Sequence, residues 1–239
     1  MRTVLAIYRR ELFSYFDSAL AYIAVPVFLL LLGVFSLSFN DIFETGLATA
    51  RVVFFWCAML LALLIPALTM RLFAEERRSG SLELLATLPV TEGQMVLGKY
   101  LAALTLILVA LALTLSYPIS LGRLGELDWG TVAASYLGLG LLAAAYTAIG
   151  TAASSITSNQ IVAFLLSMVV CLVPYVTGFF LHQVPADLLP LVQYLSFDYH
   201  FNGMLRGVID TRDLVFYGGV VALSLHIAVF SLEQRRLAE

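Results

Sequence analysis

The sequence predicts an all-α membrane protein with six transmembrane helices, and three observations carry that reading. The first is the absence of charge over long stretches. Ser18–Asn40, Val52–Met70, Tyr100–Gly122 and Leu214–Leu232 are each free of Asp, Glu, Lys and Arg, and Trp129–Ala186 is free of them over 58 residues. A helix rises about 1.5 Å per residue, so about 20 apolar residues cross a hydrocarbon core. The long window therefore holds two spans, with a turn at Ser154–Gln160. The second is composition: 61% hydrophobic and 12% charged residues exclude an ordinary soluble domain, which carries about 25% charged residues. The third is how the cations sort. With the N-terminus inside, Arg2, Arg9, Arg10, Arg71, Arg77, Arg78, Lys99, Arg235 and Arg236 fall on the inner side, and only Arg51, Arg123, Arg206 and Arg212 fall outside. That satisfies the positive-inside rule, and an even number of spans returns the C-terminus to the cytoplasm. Net charge, −3, says nothing about partners in a chain whose charges are sorted this way.

The elements follow in order. Residues 2–17 form an amphipathic segment in which Val4, Leu5, Tyr8, Leu12, Tyr15 and Phe16 recur at three- and four-residue steps, one helical face. Arg9, Arg10 and Glu11 are placed on the other face, and Tyr15 and Phe16 at headgroup depth, so the segment reads as an interfacial helix along the inner leaflet. The apolar run that follows is too long for a signal-peptide core and lacks a small-residue cleavage site. The spans cover about 18–40, 52–72, 98–121, 131–154, 160–181 and 213–232, all within one transmembrane domain, 1–239. The fourth carries Gly138, Gly140, Ala143–Ala145, Ala148, Gly150, Ala152 and Ala153. Small side chains let backbones approach, so this helix should be enclosed by others. Thr157 or Ser158 can cap the fifth span. The external stretch 182–212 is too apolar for a solvated loop, with Leu188, Leu189, Leu191, Val192, Leu195, Phe201, Met204 and Leu205. It reads as short helices dipping into the outer leaflet or folded back on the spans.

The charged island Met70–Pro89 between spans two and three is the candidate functional segment. Arg71–Arg78, with Glu75, Glu76, Arg77 and Arg78, continues the second span out of the lipid. Ser79-Gly80-Ser81 breaks it, since Gly80 suits a helix C′ position and Ser81 an N-cap. Ser81–Leu88 then reads as a short helix with Glu83 among Leu82, Leu84, Leu85 and Leu88, stopped by Pro89. Such a helix across the membrane surface offers an apolar face to a partner groove.

Other motifs are weaker. Gly93-Gln-Met-Val-Leu-Gly-Lys-Tyr100 resembles a phosphate loop in spelling only, because no strand precedes it and Tyr100 replaces the metal-binding hydroxyl. Thr91 with Gln94 reads instead as a capping box, and Lys99 as a side chain snorkelling to the inner headgroups. Cys57 and Cys171 sit singly in different spans and read as small buried groups. His182, His200 and His226 share no metal-ligand spacing; His200, flanked by Asp198 and Arg206, reads as a hydrogen-bonding residue.

The island resembles the signature of ABC type-2 exporter permeases, in which Glu-Glu and a basic residue precede Gly and a leucine-rich coupling helix. Three further stretches resemble the gliding-motility-associated (GldF-like) subgroup: Arg10–Tyr22, Ser154–Ala163 and Phe197–Asp213. The resemblance implies a permease subunit in a bacterial inner membrane. It would pair with a second copy or close relative, above a cytoplasmic ABC ATPase dimer that binds MgATP and grips Ser81–Leu88. It also implies an auxiliary subunit with a periplasmic domain. No catalytic residue, cofactor, metal or nucleic-acid partner is expected in this chain. The alternatives are a secondary transporter, which usually carries inverted repeats and midplane ionisable residues, and a membrane scaffold or assembly factor.

Overall fold

The structure is a computed structural model that describes residues 2–38, 50–80, 90–123, 125–185 and 187–236. The described residues are all helical or irregular, in the order α1 (Arg2–Asp17), α2 (Ala19–Ser38), α3 (Arg51–Thr69), α4 (Arg71–Arg78), α5 (Glu92–Leu113), α6 (Ser116–Leu121), α7 (Trp129–Ile156) and α8 (Gln160–Val176). A 3-10 turn, Thr177–Gln183, continues α8, and α9 (Leu189–Leu195), α10 (Phe197–Met204) and α11 (Thr211–Arg236) follow. Among the described residues, six helical stretches are long and apolar enough to cross a membrane: Ala21–Ser38, Arg51–Arg78, Glu92–Leu121, Trp129–Ile156, Gln160–Leu181 and Thr211–Gln234.

Helix α7 is the spine, as its small residues predict. It packs against α3, α4, α5, α8, α10 and α11, and buries Gly138, Ala143, Ala145, Ala148, Gly150, Ala152 and Ala153. The glycines are used one by one. A Cβ on Gly138 would meet Met204 Sδ at 2.8 Å and the Phe201 ring at 3.0 Å, and one on Gly150 would collide with Thr69. Gly140 has open space. The close approaches therefore serve packing within the chain. Helix α7 starts two residues earlier than expected because Asp128 caps it, accepting from Gly130 N at 2.9 Å and Thr131 Oγ1 at 2.6 Å.

One break and one turn boundary were not legible in the hydropathy. The third span is not continuous: Leu113 ends α5, Thr114 Oγ1 donates to Leu111 O at 2.6 Å, and α6 resumes at Ser116. Tyr117 on α6 then reaches α2, donating to Leu29 O at 2.6 Å over Gly33. The fourth span keeps Ser154–Ile156 helical, so the expected turn shortens to Thr157–Asn159. The cap of α8 is Asn159, which accepts from Ile161 N at 2.9 Å, rather than Thr157 or Ser158. An Asx side chain two residues before the accepted amide closes this tighter turn.

The stretch between α8 and α11 divides in two. Helix α10 folds back into the bundle and buries Phe201 and Met204 against α7, with Leu205 just beyond it, whereas α9 buries none of its residues. Gly207, at φ +81°, lets the chain reverse after α10, with Val208 N donating to Gly203 O at 3.1 Å.

The glycine pair on α7 gives a direct test. Gly138→Ala should cost about 1–3 kcal/mol by forcing Met204 and Phe201 apart, whereas Gly140→Ala should cost nothing. Thermal unfolding in detergent distinguishes them, and equal loss in both variants would contradict the packing.

Candidate functional site

The site grows from the contact between α1 and α5. Val4, Ile7 and Tyr8, Glu11 and Leu12, and Tyr15 recur at steps of three and four, so they share the face of α1 that packs on α5. Gly98 on α5 is what admits that helix: a Cβ there would sit 2.8 Å from Ile7 Cγ2 and 3.2 Å from Val4 O. Glu11 thus lies among the packed residues, a correction to its placement beside Arg9 and Arg10 on the polar face. It falls three residues after Tyr8 and four before Tyr15, which is the same face at 100° per residue.

Lys99, next to Gly98, also departs from expectation. It does not snorkel; its side chain is 1% exposed and points into the joint between α1, α4 and α5. Its Nζ donates to Glu11 Oε1 at 3.1 Å, Glu76 Oε1 at 2.8 Å and Leu72 O at 2.8 Å. An ammonium has three protons, and each has an acceptor here. The Phe73 ring lies 5.2 Å from the cation. Arg10 Nη2 closes the ring, donating to Glu11 Oε1 at 2.8 Å and Glu76 Oε1 at 3.2 Å. Burial disfavours ionised Glu11, but the Lys99 charge and Arg10 outweigh it and hold its carboxyl below the ordinary range. The hydrogen bond from Arg10 to Glu11 raises the Arg10 guanidinium further above its own.

A second set of bonds pins the end of α1 to the same place. Tyr15 OH donates to Leu68 O at 3.0 Å, and burial pushes that hydroxyl well above its ordinary value. Arg71 Nη2 donates to Ser18 Oγ at 2.7 Å and its guanidinium lies over the Tyr15 ring at 5.4 Å. Tyr15 is therefore buried against the bundle, while Arg9 and Phe16 are exposed. Between α1 and α4 lies a polar cleft of about 570 Å³, bordered by Arg10, Glu11, Tyr15, Arg71, Glu75 and Glu76.

Of the island residues, Glu76 enters the ion network, Glu75 and Arg78 are exposed, and Arg77 is half-buried. Gly80 has φ +72°, with its N–H on Arg77 O at 3.3 Å, so the chain leaves α4 in a left-handed turn as the Ser-Gly-Ser break predicts. Ser81, Leu82, Glu83, Leu84, Leu85 and Leu88 lie outside the described residues. Gly93–Lys99 is part of α5, capped by Thr91 Oγ1 on Gln94 N at 3.4 Å, so the phosphate-loop spelling falls inside a helix.

At the far end of the bundle, Asp198, His200 and Arg206 do not form one group. His200 pairs instead with Asp213, Nδ1 to Oδ1 at 2.7 Å, and its Nε2 lies 3.0 Å from Tyr194 O. It stacks on Phe216 at 4.0 Å between centroids. Asp198, two residues away on the same helix, faces elsewhere. It lies against Gly178 and accepts from Asn202 Nδ2 at 2.8 Å, and Asn202 in turn accepts from Arg51 Nη2 at 3.2 Å. Arg206 is exposed. Cys57 and Cys171 are free and buried. Among the described residues no group of three or more His, Cys, Asp or Glu could hold a metal ion.

Apolar helices around an enclosed spine, with a polar knot at one end, define a multi-pass membrane protein. A family model described as ABC-2 family transporter protein matches residues 35–232, and the chain belongs to that family. The match starts near the end of α2, so α1 lies outside it. No curated protein matches the chain.

Two measurements test the site. Lys99→Met leaves Glu11 and Glu76 without their buried cation and should cost about 3–5 kcal/mol, against at most about 0.5 kcal/mol for Arg9→Ala on the exposed face. Unfolding in lipid nanodiscs reads the difference, and equal, small losses would contradict the network. Burial raises the Asp198 carboxyl to about 6, above the ordinary value of about 3.9. The folded state therefore binds a proton the unfolded chain releases, and it loses stability as pH rises through that window. Asp198→Asn, which still accepts from Asn202, should raise the unfolding temperature near about pH 8 and lose the advantage on acidification toward about pH 4. An advantage independent of pH would contradict it.

Proposed function

We propose that the chain is the permease subunit of an ATP-driven type-2 transporter of the GldF-like kind. It would couple motion of a cytoplasmic ATPase dimer to export or to mechanical transmission across a bacterial inner membrane. The family match supports a permease. The observation that carries the coupling reading is the Lys99 network, which joins the surface helix α1 to the exit helix α4 directly ahead of residues 81–89. Force applied to 81–89 would pass into α4, and through Glu76 and Lys99 into α1 and α5.

In this reading the charged end and both termini face the cytoplasm, in keeping with the positive-inside rule. MgATP belongs to the partner ATPase, and this chain is not itself an enzyme; the ammonium of the Gly-Lys pair is committed to Glu11, Glu76 and Leu72 O. Ile161, Val162, Leu165, Leu166, Val169, Val170 and Val173 form an exposed apolar stripe on α8, which would meet lipid or the second permease copy. An auxiliary subunit with a periplasmic domain would complete the assembly.

The reading is tested on Gly80 and Leu85. Proline cannot adopt the positive φ of Gly80, and a carboxylate at Leu85 would oppose an apolar groove. Gly80→Pro and Leu85→Glu should leave membrane insertion intact but abolish copurification with the ATPase found in native membranes. Full copurification and activity of both variants would contradict the coupling role of 81–89.

A further inference from the structure

The second span is divided at Met70, between the end of α3 and the start of α4. Pro66 lies one turn earlier, and Met70 N donates to Pro66 O at 2.9 Å. Beyond that bond the backbone turns to a neighbouring helix for partners. Phe73 N and Ala74 N donate to Ser154 Oγ of α7 at 2.9 and 3.1 Å, and Ser154 Oγ donates to Met70 O at 3.0 Å. One fully buried hydroxyl thus satisfies three backbone groups at the joint, where water has no access. Gly150, one turn before Ser154 on α7, leaves no room for a Cβ against Thr69 on the other side of the break. Thr69 Oγ1 turns back to Ile65 O at 2.8 Å. Helix α7 therefore holds the joint with two residues on one face: a glycine that lets it close in and a serine that replaces the helical ladder.

We propose that Met70 is the pivot of the exit helix and that Ser154 is its positioning residue. A helical ladder resists bending, whereas a single hydroxyl can keep its partners while the segment beyond it rotates. Helix α4 carries Glu76 into the Lys99 network and ends at Gly80, so rotation about Met70 would carry α1 with it. This rests on the ATPase-coupling reading above. Removing the hydroxyl lets Phe73 N and Ala74 N return to carbonyls of their own helix. The fold then survives, but the ladder runs on across Met70 and the joint stiffens.

The test places spin labels at Arg78→Cys on α4 and Ile161→Cys on α8, both exposed positions, in the full chain with its copurified ATPase in nanodiscs. In the otherwise native chain, ATP should shift the distance between the labels. With Ser154→Ala the ATPase should still copurify, the shift should vanish, and the permease-stimulated ATPase rate should fall about tenfold. Ser154→Thr, which retains the hydroxyl, should restore both. A full ATP-dependent shift and rate in Ser154→Ala would overturn the pivot while leaving the coupling reading standing. No ATPase bound to the native chain would overturn the coupling reading and the pivot with it.

Discussion

A lysine ammonium withdrawn from water needs three acceptors, and that requirement organises the charged end of this protein. Lys99 finds them on two other elements, Glu11 of α1 and both Leu72 O and Glu76 of α4. Removing a single acceptor would leave a buried charge under-satisfied, which costs far more than a surface ion pair contributes. The three elements are therefore tied by one atom. Gly98 makes the arrangement sterically accessible, because only a residue without a side chain lets α1 come close enough for Glu11 to reach. Arg10 balances the charge from the outside, so two carboxylates face two cations.

The spine helix supplies the opposing rigidity. Its glycines are spent on particular neighbours, Gly138 on α10 and Gly150 on the α3–α4 joint. Ser154 then bonds the backbone where α3 gives way to α4. One end of α7 thus holds the folded-back helix α10 and the other holds the joint, so the two ends of the bundle meet on a single element.

Much of the fold was legible because a bilayer permits few solutions. Every backbone group in lipid must pair internally, so charge-free windows translate almost directly into helices, and the small residues of α7 announced its enclosure. The departures share one cause: hydropathy and linear proximity do not resolve which way a polar side chain faces. Glu11 groups with its neighbours Arg9 and Arg10 in the linear sequence, although its three- and four-residue spacing to Tyr8 and Tyr15 puts it on the packed face. Lys99 stands at a span end, where snorkelling is the expectation, and nothing in a hydropathy profile shows that two carboxylates from other helices converge on it. His200 reads as a hydrogen-bonding residue, but its partner Asp213 lies 13 residues on and no local pattern singles it out. The Met70 joint depends on a serine 84 residues away, a contact that only the folded chain reveals.

In the coupling reading proposed above, α1 and α4, joined through Lys99 with Glu11 and Glu76 and through Arg71 on Ser18, would move as one block against α7. The most direct test is the distance between labels at Phe13→Cys on α1 and Arg78→Cys on α4, measured by pulsed electron paramagnetic resonance in the ATPase complex. The distance should be the same with and without ATP in the native background, and should become broad when Lys99 is replaced by Met. A change on ATP binding as large as that between α4 and α8 would show that the two helices move separately, and would contradict the account.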